Sequence, residues 1–341
     1  MKAILLFLML LVQGVSSFQL PFTIPSIWPT TAPPNTSTCS NKYGDQPAKL
    51  TTSISDILTY VNLCVDIPRR VVKLSFTDTD GNQRQACLLI TSTSKRLPII
   101  VWLHASLLSP STIFLTNLVN EASSTNLTGK INGPLGYHLL VPLGRDTTHI
   151  YPSPDDKGLG WDNWYRNYNR SDPALNVDVQ TIDYFIDQVV NRRTDLQVDS
   201  SRVFMSGWSN GAAMALQYAL NTPKIAAAAV YSAPDPYRDY KDPCAQTPNV
   251  IYHTPVLTLY NQCDIIGICE TGKAFIDDLN NRYGNKQVAN VTIFGSDFQI
   301  KTTCNLACND LSILAVAQHL RWPITLNENV FFNFLRKYSS V

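Results

Sequence analysis

The residues best suited to chemistry form a glycine-flanked serine, Gly207-Trp-Ser-Asn-Gly211. This G-x-S-x-G pattern follows a predicted strand ending at Ser206 and precedes an Ala-rich segment with helical character. A serine between a strand and a helix is typical of a nucleophile elbow, where glycines two residues away leave room for strained backbone. The N-terminus of that helix also favours a developing oxyanion. We therefore predict that Ser209 is a catalytic nucleophile; the alternative is a helix N-cap.

A serine hydroxyl is a weak nucleophile unless a base removes its proton and a carboxylate orients that base. Chains with this elbow place the three residues in the order serine, carboxylate, histidine. His319 fits that order, whereas His253 precedes the best carboxylate. That carboxylate is Asp264, which follows the apolar strand 256–260 by a short loop, at the strand end where open α/β sheets carry their chemistry. Asp235, after the preceding strand, is the alternative acid.

Acyl transfer also needs two backbone donors for the oxyanion. The N–H group of Asn210, directly after the nucleophile, is one candidate. Ser106, in the loop after a strand that ends at His104, is the other, and His104 itself is expected to be structural. Aromatic residues near these segments predict flat faces for substrate, with core packing as the alternative; the three assigned to substrate binding are Trp164, Trp208 and Trp322.

Strands and helices alternate along the chain and would position these residues. A predicted hairpin, 71–76 and 87–91, comes first, and apolar runs typical of buried parallel strands follow at 98–104, 138–143, 202–206, 225–233, 255–260 and 288–294. Helical spacing or composition occurs at 178–190, 210–220, 271–283 and 328–338. The pattern predicts an α/β fold with a mostly parallel central sheet flanked by helices.

Composition and net charge exclude several classes of partner. The chain has 341 residues, of which 45% are hydrophobic and 16% charged, which excludes a disordered chain. Its 27 Lys+Arg and 26 Asp+Glu leave a net charge of +1, which argues against nucleic acid or an anionic membrane surface as the main partner. We expect a monomer without metal or cofactor whose partner is an ester substrate.

The first residues resemble a signal peptide. Lys2 precedes the apolar run 4–12, and small residues at 15–17 offer a cleavage site. We therefore predict a signal peptide over 1–17, a Pro/Thr-rich arm over 18–38 and a single catalytic domain over 39–341, secreted and free of the membrane after cleavage. A signal anchor is the alternative.

Secretion changes how two further features are interpreted. An even count of eight cysteines implies disulfides in an oxidising compartment, with a Cys304-x3-Cys308 metal site as the alternative. Four N-x-S/T sequons are predicted glycosylation sites on the surface: Asn35, Asn126, Asn169 and Asn290.

The ordered motifs resemble those of the polyhydroxybutyrate depolymerase and feruloyl esterase family of secreted α/β-hydrolases. Besides the elbow, Trp161-Asp-Asn-Trp164 is similar to its Trp-rich segment, Asp199-Ser-Ser-Arg-Val203 to the lead into its elbow, and His319 with Trp322-Pro323 to its base loop. The oxyanion loop departs from the family, because Ala105 replaces its glycine. The base loop is one residue longer between histidine and tryptophan.

The resemblance implies an α/β-hydrolase fold and a Ser209–His319–Asp264 triad that hydrolyses carboxylic esters. The expected substrate is a plant-cell-wall ester, feruloyl or acetyl, or a polyhydroxyalkanoate. The alternatives are a non-catalytic secreted binding protein and a serine peptidase on the same fold.

Overall fold

The computed structural model describes residues 49–50, 71–79, 81–106, 108, 110–149, 156–162, 176–237, 250–308, 312–322 and 328–340. The predicted signal peptide and Pro/Thr-rich arm lie outside these ranges, as do Trp164 and the sequons at Asn35 and Asn169. Within the described ranges, no helix is both long and apolar enough to cross a bilayer.

The described strands and helices alternate through most of the chain. The strands are β1 Lys49–Leu50, β2 Val71–Thr77, β3 Gln83–Leu89, β4 Leu97–Leu103, β5 His138–Pro142, β6 Arg145–His149, β7 Asp156–Gly160, β8 Val198–Trp208, β9 Ala227–Tyr231, β10 Val256–Asn261, β11 Ala289–Phe294 and β12 Ile300–Lys301. The helices are α1 Leu118–Glu121, α2 Val177–Asp187, α3 Asn210–Asn221, α4 Ile268–Tyr283, α5 Ile313–His319 and α6 Glu328–Leu335.

Shorter helical turns connect several of these elements. Four are 3₁₀ turns and one is a π-helical turn that continues α2: Pro110–Leu115, Ile265–Gly267, Gly284–Lys286, Leu306–Cys308 and Gln188–Arg192, respectively. Asn176 caps α2 by accepting from the N–H groups of Asp178 and Val179.

Nine strands form one sheet in the order β12-β11-β10-β9-β8-β4-β5-β3-β2. The six strands from β11 to β5 run parallel, whereas β2, β3 and β12 pair antiparallel at the two ends of the sheet. The carboxyl ends of the parallel strands therefore meet at one edge, which is where an open α/β sheet places a site. This topology is the mostly parallel, helix-flanked α/β-hydrolase fold that the sequence predicts.

The core lies on both faces of the sheet. Helices α2, α3 and α4 cover one face and pack against alternate residues of the strands, such as Val101 and Met205. Helix α6 packs on the other face against Ile100, Phe204 and their neighbours. Strand β4 is buried along its whole length, because both of its faces meet helices.

Two features differ from the predicted elements. Strand β8 begins at Val198 and ends at Trp208, so it runs directly into Ser209 and not only to Ser206. Strands β6 and β7 form an unpredicted hairpin, and β1 adds a third strand to it. Gly144 and Gly160 lie at its base, where a Cβ on Gly144 would be 2.9 Å from Nε2 of His104.

Candidate active site

The backbone turn between β8 and α3 is strained at Ser209. Its φ of 54° and ψ of −121° lie outside the regions that a side-chain-bearing residue prefers. A Cβ on Gly211 would fall under 3.0 Å from the carbonyl oxygens of Leu103 and His104, and one on Gly207 would do so with Gly211 itself. Both glycines are therefore required by space, and the turn presents Ser209 at the carboxyl edge of the sheet.

Three side chains from separate loops meet at this edge. The Nε2 atom of His319 is 2.9 Å from Oγ of Ser209, and its Nδ1 atom is 2.7 Å from Oδ1 of Asp264. An ionised carboxylate only accepts hydrogen bonds, so Nδ1 carries the proton and Nε2 accepts from the Ser209 hydroxyl. The carboxylate of Asp264 is fully buried. This is the arrangement in which an imidazole can take a proton from a serine.

The rival acid and base lie elsewhere. Asp235 accepts from the backbone N–H of Tyr237, at 2.9 Å, at the start of its own loop. His253 is exposed, and its ring lies 5.2 Å from that of Tyr283. The structure therefore brings together Ser209, Asp264 and His319, the three residues that the sequence favoured, and neither alternative.

The loop that carries Asp264 is fastened to a distant segment of the chain. Disulfides join Cys263 to Cys308 and Cys269 to Cys304. These bonds use the sulfur atoms of Cys304 and Cys308, so the alternative metal site at that pair is wrong. Within the loop, the N–H of Ile265 donates to Oδ1 of Asp264 at 2.8 Å.

A second serine, which sequence reasoning missed, contacts the same carboxylate. The hydroxyl of Ser232, directly after β9, is 2.5 Å from Oδ2 of Asp264. Its position at the carboxyl end of a predicted parallel strand was the one feature of the sequence that could have indicated a role for Ser232 at the site.

Backbone carbonyls at the end of α5 are held by three buried side chains. The Nε1–H of Trp208 donates to the carbonyl of His319 at 3.0 Å, while the hydroxyl of Tyr231 and the amide of Asn261 donate to that of Gln318 at 2.8 and 2.5 Å. Burial raises the pKa of Tyr231 well above its ordinary value, so this hydroxyl stays protonated. The three contacts fix where α5 ends, and hence where the ring of His319 lies.

The assignment of Trp208 and Trp322 to substrate binding is corrected by their burial. Both rings are buried, and they pack edge to face on one another, 5.9 Å apart, beside Tyr231. They belong to the core under α6, because the strand-to-elbow turn directs residue 208 towards that face of the sheet. The alternative of core packing is therefore correct for these two tryptophans.

The two predicted oxyanion residues lie on either side of Gly160. A Cβ on Gly160 would be 2.9 Å from Oδ1 of Asn210 and 3.2 Å from Oγ of Ser106. The side chain of Asn210 accepts from the N–H of Trp161 at 2.7 Å and donates to its carbonyl at 3.0 Å. The side chain of Asn210 thus joins the elbow to the segment that follows the β6–β7 hairpin. Asn210 is also the first residue of α3.

His104 holds the loop that carries the predicted oxyanion residue Ser106. Its Nε2 accepts from the N–H of Gly144 at 2.9 Å, so Nδ1 carries the proton and donates to the carbonyl of Ala105, also at 2.9 Å. Burial lowers its pKa to about 4, which keeps the ring neutral. The carbonyl of His104 accepts from Nε1–H of Trp161. These contacts agree with a structural role for His104.

A buried ion pair anchors the Trp161 segment. Arg84 on β3 donates to Oδ1 of Asp178 in the first turn of α2, and both side chains are buried. The other oxygen of Asp178 accepts from the N–H of Asp162 at 2.7 Å, whose carbonyl accepts from Asn176. The Trp161 segment and the N-terminus of α2 therefore meet in one hydrogen-bonded network.

Two sequons lie in the described residues. Asn290 on β11 is exposed. Asn126 is half-buried, and its Oδ1 accepts from the N–H and hydroxyl groups of Thr128 at 2.8 and 2.7 Å.

Comparison with known proteins supports the class of this site. A profile of the Phospholipase/Carboxylesterase family matches residues 149–293, a range that includes Ser209 and Asp264 and ends before His319. A comparison with curated proteins found no match.

Solved structures to which the chain is similar include esterases and a peptidase. One is a thermostable esterase (13% identity, TM-score 0.45), which covers 81% of this chain and of which this chain spans 64%. Another is an esterase of Pyrobaculum calidifontis (14% identity, TM-score 0.46), which covers 83% of this chain and of which this chain spans 89%. A third is an acylaminoacyl peptidase of Pyrococcus horikoshii (14% identity, TM-score 0.45), which covers 79% of this chain and of which this chain spans 41%. The sheet order, the strained elbow and the family match over residues 149–293 together identify the fold of the chain as the α/β-hydrolase fold.

Proposed function

We propose that the protein is a secreted serine esterase that hydrolyses carboxylic esters by two-step acyl transfer. The observation that carries the proposal is the continuous hydrogen-bonded chain from Ser209 through His319 to the buried Asp264. Such a chain lets an imidazole activate a hydroxyl at neutral pH.

In the proposed first step, Oγ of Ser209 attacks the ester carbonyl carbon while Nε2 of His319 takes its proton. Asp264 stabilises the imidazolium and keeps Nδ1 protonated. The N–H groups of Ser106 and Asn210 donate to the oxyanion. His319 then protonates the leaving alcohol, and water, deprotonated by the same imidazole, releases the acid from the acyl-enzyme.

The nucleophile is tested with a fluorophosphonate probe and a chromogenic ester. Ser209→Ala should abolish labelling and lower kcat by about a thousandfold or more. Ser200→Ala, at an exposed serine on β8, is the matched control and should leave both unchanged. Full turnover by Ser209→Ala would overturn the proposal. A wild-type chain that is neither labelled nor active would indicate a binding protein instead.

For the substrate, we propose an uncharged ester, either a feruloyl or acetyl ester of plant cell walls or a polyhydroxyalkanoate. The near-zero net charge supports this class, because it provides no steering for a charged ligand. A panel of feruloyl, acetyl-xylan and 3-hydroxybutyrate esters ranks these candidates by kcat/KM. A peptide anilide in the same panel tests the peptidase alternative, and preferential amide cleavage would favour it.

Exposed apolar side chains in segments that neighbour site residues in the sequence support a polymeric substrate. Phe114 and Leu115 follow the oxyanion loop, and Ile313 and Leu314 begin the helix that ends at His319. Ile313→Ser should lower turnover of an insoluble polyester by several-fold while leaving kcat/KM for a soluble ester unchanged. Ile131→Ser, at an isoleucine that is 99% exposed, is the control. Equal turnover of both substrates by Ile313→Ser would contradict a role in polymer contact.

Secretion is part of the same proposal. The disulfides of the acid loop suit an oxidising compartment. N-terminal sequencing of the exported chain should find Phe18 first, and glycosidase treatment should lower its mass. Retention of residues 1–17 would favour the signal-anchor alternative.

A further inference from the structure

Ser232 lies where the chain leaves β9, and its backbone is strained. Its φ is 52°, a value that glycine adopts easily and serine does not. The residue is completely buried, and its N–H donates to the carbonyl of Leu259 on β10 at 2.8 Å. A strained, buried serine persists only where the surrounding structure holds it in place, and such residues concentrate at functional sites.

The strained backbone aims the hydroxyl at the acid. Oγ of Ser232 is 2.5 Å from Oδ2 of Asp264, and the hydroxyl is the donor because the carboxylate has no proton to give. The other oxygen, Oδ1, accepts from Nδ1 of His319 and from the N–H of Ile265. Ser232 therefore occupies the one carboxylate oxygen that His319 does not use.

We propose that Ser232 is a positioning residue and the fourth member of a hydrogen-bonded chain, Ser232–Asp264–His319–Ser209. Its hydroxyl stabilises the buried carboxylate charge and stops the carboxylate from rotating away from the imidazole. The inference rests on the proposed esterase function, since the hydroxyl acts only through Asp264. Glycine would remove the strain at this position, but it would also remove the donor.

Two substitutions separate the effect of the Ser232 hydroxyl from the effect of its backbone strain. Ser232→Gly removes both the donor and the backbone strain, whereas Ser232→Ala removes the donor alone. We expect kcat to fall about tenfold to a hundredfold in both, the range for a lost hydrogen bond to a charged group, with KM within about twofold of wild type. We expect Ser232→Gly to melt at a higher temperature than Ser232→Ala.

The pH profile gives a readout that a purely structural role would not move. Without the Ser232 donor, the carboxylate holds the Nδ1 proton of His319 more strongly, so the acid limb of kcat/KM should move to higher pH. Among the described residues, the other titratable groups that interact with Asp264 are Tyr231, Tyr260 and Glu270. Tyr231 also hydrogen-bonds to Ser232 and loses that partner in both variants, but its hydroxyl stays protonated because it is buried. Ser206→Ala is the control, because Ser206 is also buried and its hydroxyl has no hydrogen-bond partner among the described residues.

The experiment measures kcat, KM, the pH profile, fluorophosphonate labelling and melting temperature on the full chain. Lower kcat with normal labelling stoichiometry and a shifted acid limb in both Ser232 variants would support the inference. A Ser232→Gly variant with wild-type kcat and acid limb, beside an active wild type, would overturn this inference alone. A wild type that neither labels nor hydrolyses any ester would overturn the proposed function, and this inference with it.

Discussion

The proposed nucleophile, Ser209, and the proposed acid, Asp264, lie at the same sheet edge but are held in place by different means. Ser209 is held locally: backbone packs against backbone around Gly207 and Gly211, within a few residues of the nucleophile. Asp264 is held from a distance, by disulfides that span 45 and 35 residues and by a hydroxyl from another strand. Both turns contain strained backbone, at Ser209 and at Ile266, whose φ is 45°. The elbow therefore depends on the absence of side chains at its two glycines, whereas the Asp264 loop depends on cross-links to other segments of the chain.

The elbow should be the more sensitive region to added volume. Gly211→Ala places a Cβ under 3.0 Å from two backbone carbonyls of β4 and its loop, neither of which can move alone. We expect it to lower the free energy of unfolding by about 3 kcal/mol or more, measured by urea denaturation. Gly284→Ala, at a φ of 53° with no atom within 4 Å of the new Cβ, isolates the cost of backbone strain and should lose about 1 kcal/mol. Equal losses would mean that the elbow is not limited by space.

Removing a disulfide of the Asp264 loop should lower kcat more strongly the closer that disulfide lies to Asp264. The double variant Cys263→Ser/Cys308→Ser should lose about 2–4 kcal/mol of unfolding free energy. Because Cys263 is adjacent to Asp264, kcat should also fall by about tenfold. The control, Cys269→Ser/Cys304→Ser, should lose similar stability with a smaller change in kcat. The reverse order of kcat values would show that Cys263 does not position the acid.

Acid pH should lower the free energy of unfolding through His104, which lies next to the elbow. Burial lowers its pKa to about 4 in the folded chain, so below pH 6.5 the unfolded state binds a proton that the folded state does not. Stability is therefore present at neutral pH and is lost as the pH falls towards 4, by about 2 kcal/mol between pH 7 and pH 5 for this ring. His138, whose pKa burial also lowers to about 4, adds to the same window.

Urea unfolding at several pH values measures this loss. His104→Gln should flatten the dependence of stability on pH, and His253→Gln, at a histidine that is exposed in the folded state, is the control variant. An unchanged slope in His104→Gln would contradict the assignment to His104.

The smallest effect should come from the contact that links the elbow to the helix that carries His319. Trp208→Phe keeps an aromatic ring in the core but removes the donor to the carbonyl of His319, so kcat should fall several-fold and stability by about 1 kcal/mol. Trp102→Phe is the matched control, because Nε1 of Trp102 is buried without a hydrogen-bond partner among the described residues. Its kcat should stay unchanged. An equal fall in kcat for both variants would point to ring volume and not to the hydrogen bond.

Most of the fold was predictable because its signals are local. Apolar runs predicted the six parallel strands, and the Ala-rich segment predicted α3, which is buried along its length. The pairing of β1 with the β6–β7 hairpin escaped prediction, since it joins residues nearly a hundred positions apart. The aromatic residues next to the elbow were misassigned for a related reason, because a tryptophan in the core and one facing solvent look alike in a sequence.

The sequence by itself determined the elbow, the sheet that carries it, and the order of the proposed nucleophile, acid and base, because these depend on residue types a few positions apart and on strand order. Only the tertiary structure decided which cysteines pair around Asp264, that Trp208 faces the core, and that Ser232 reaches the acid. Those outcomes depend on distances between segments that are far apart in the chain. Such distances exist only after the sheet and its helices have packed.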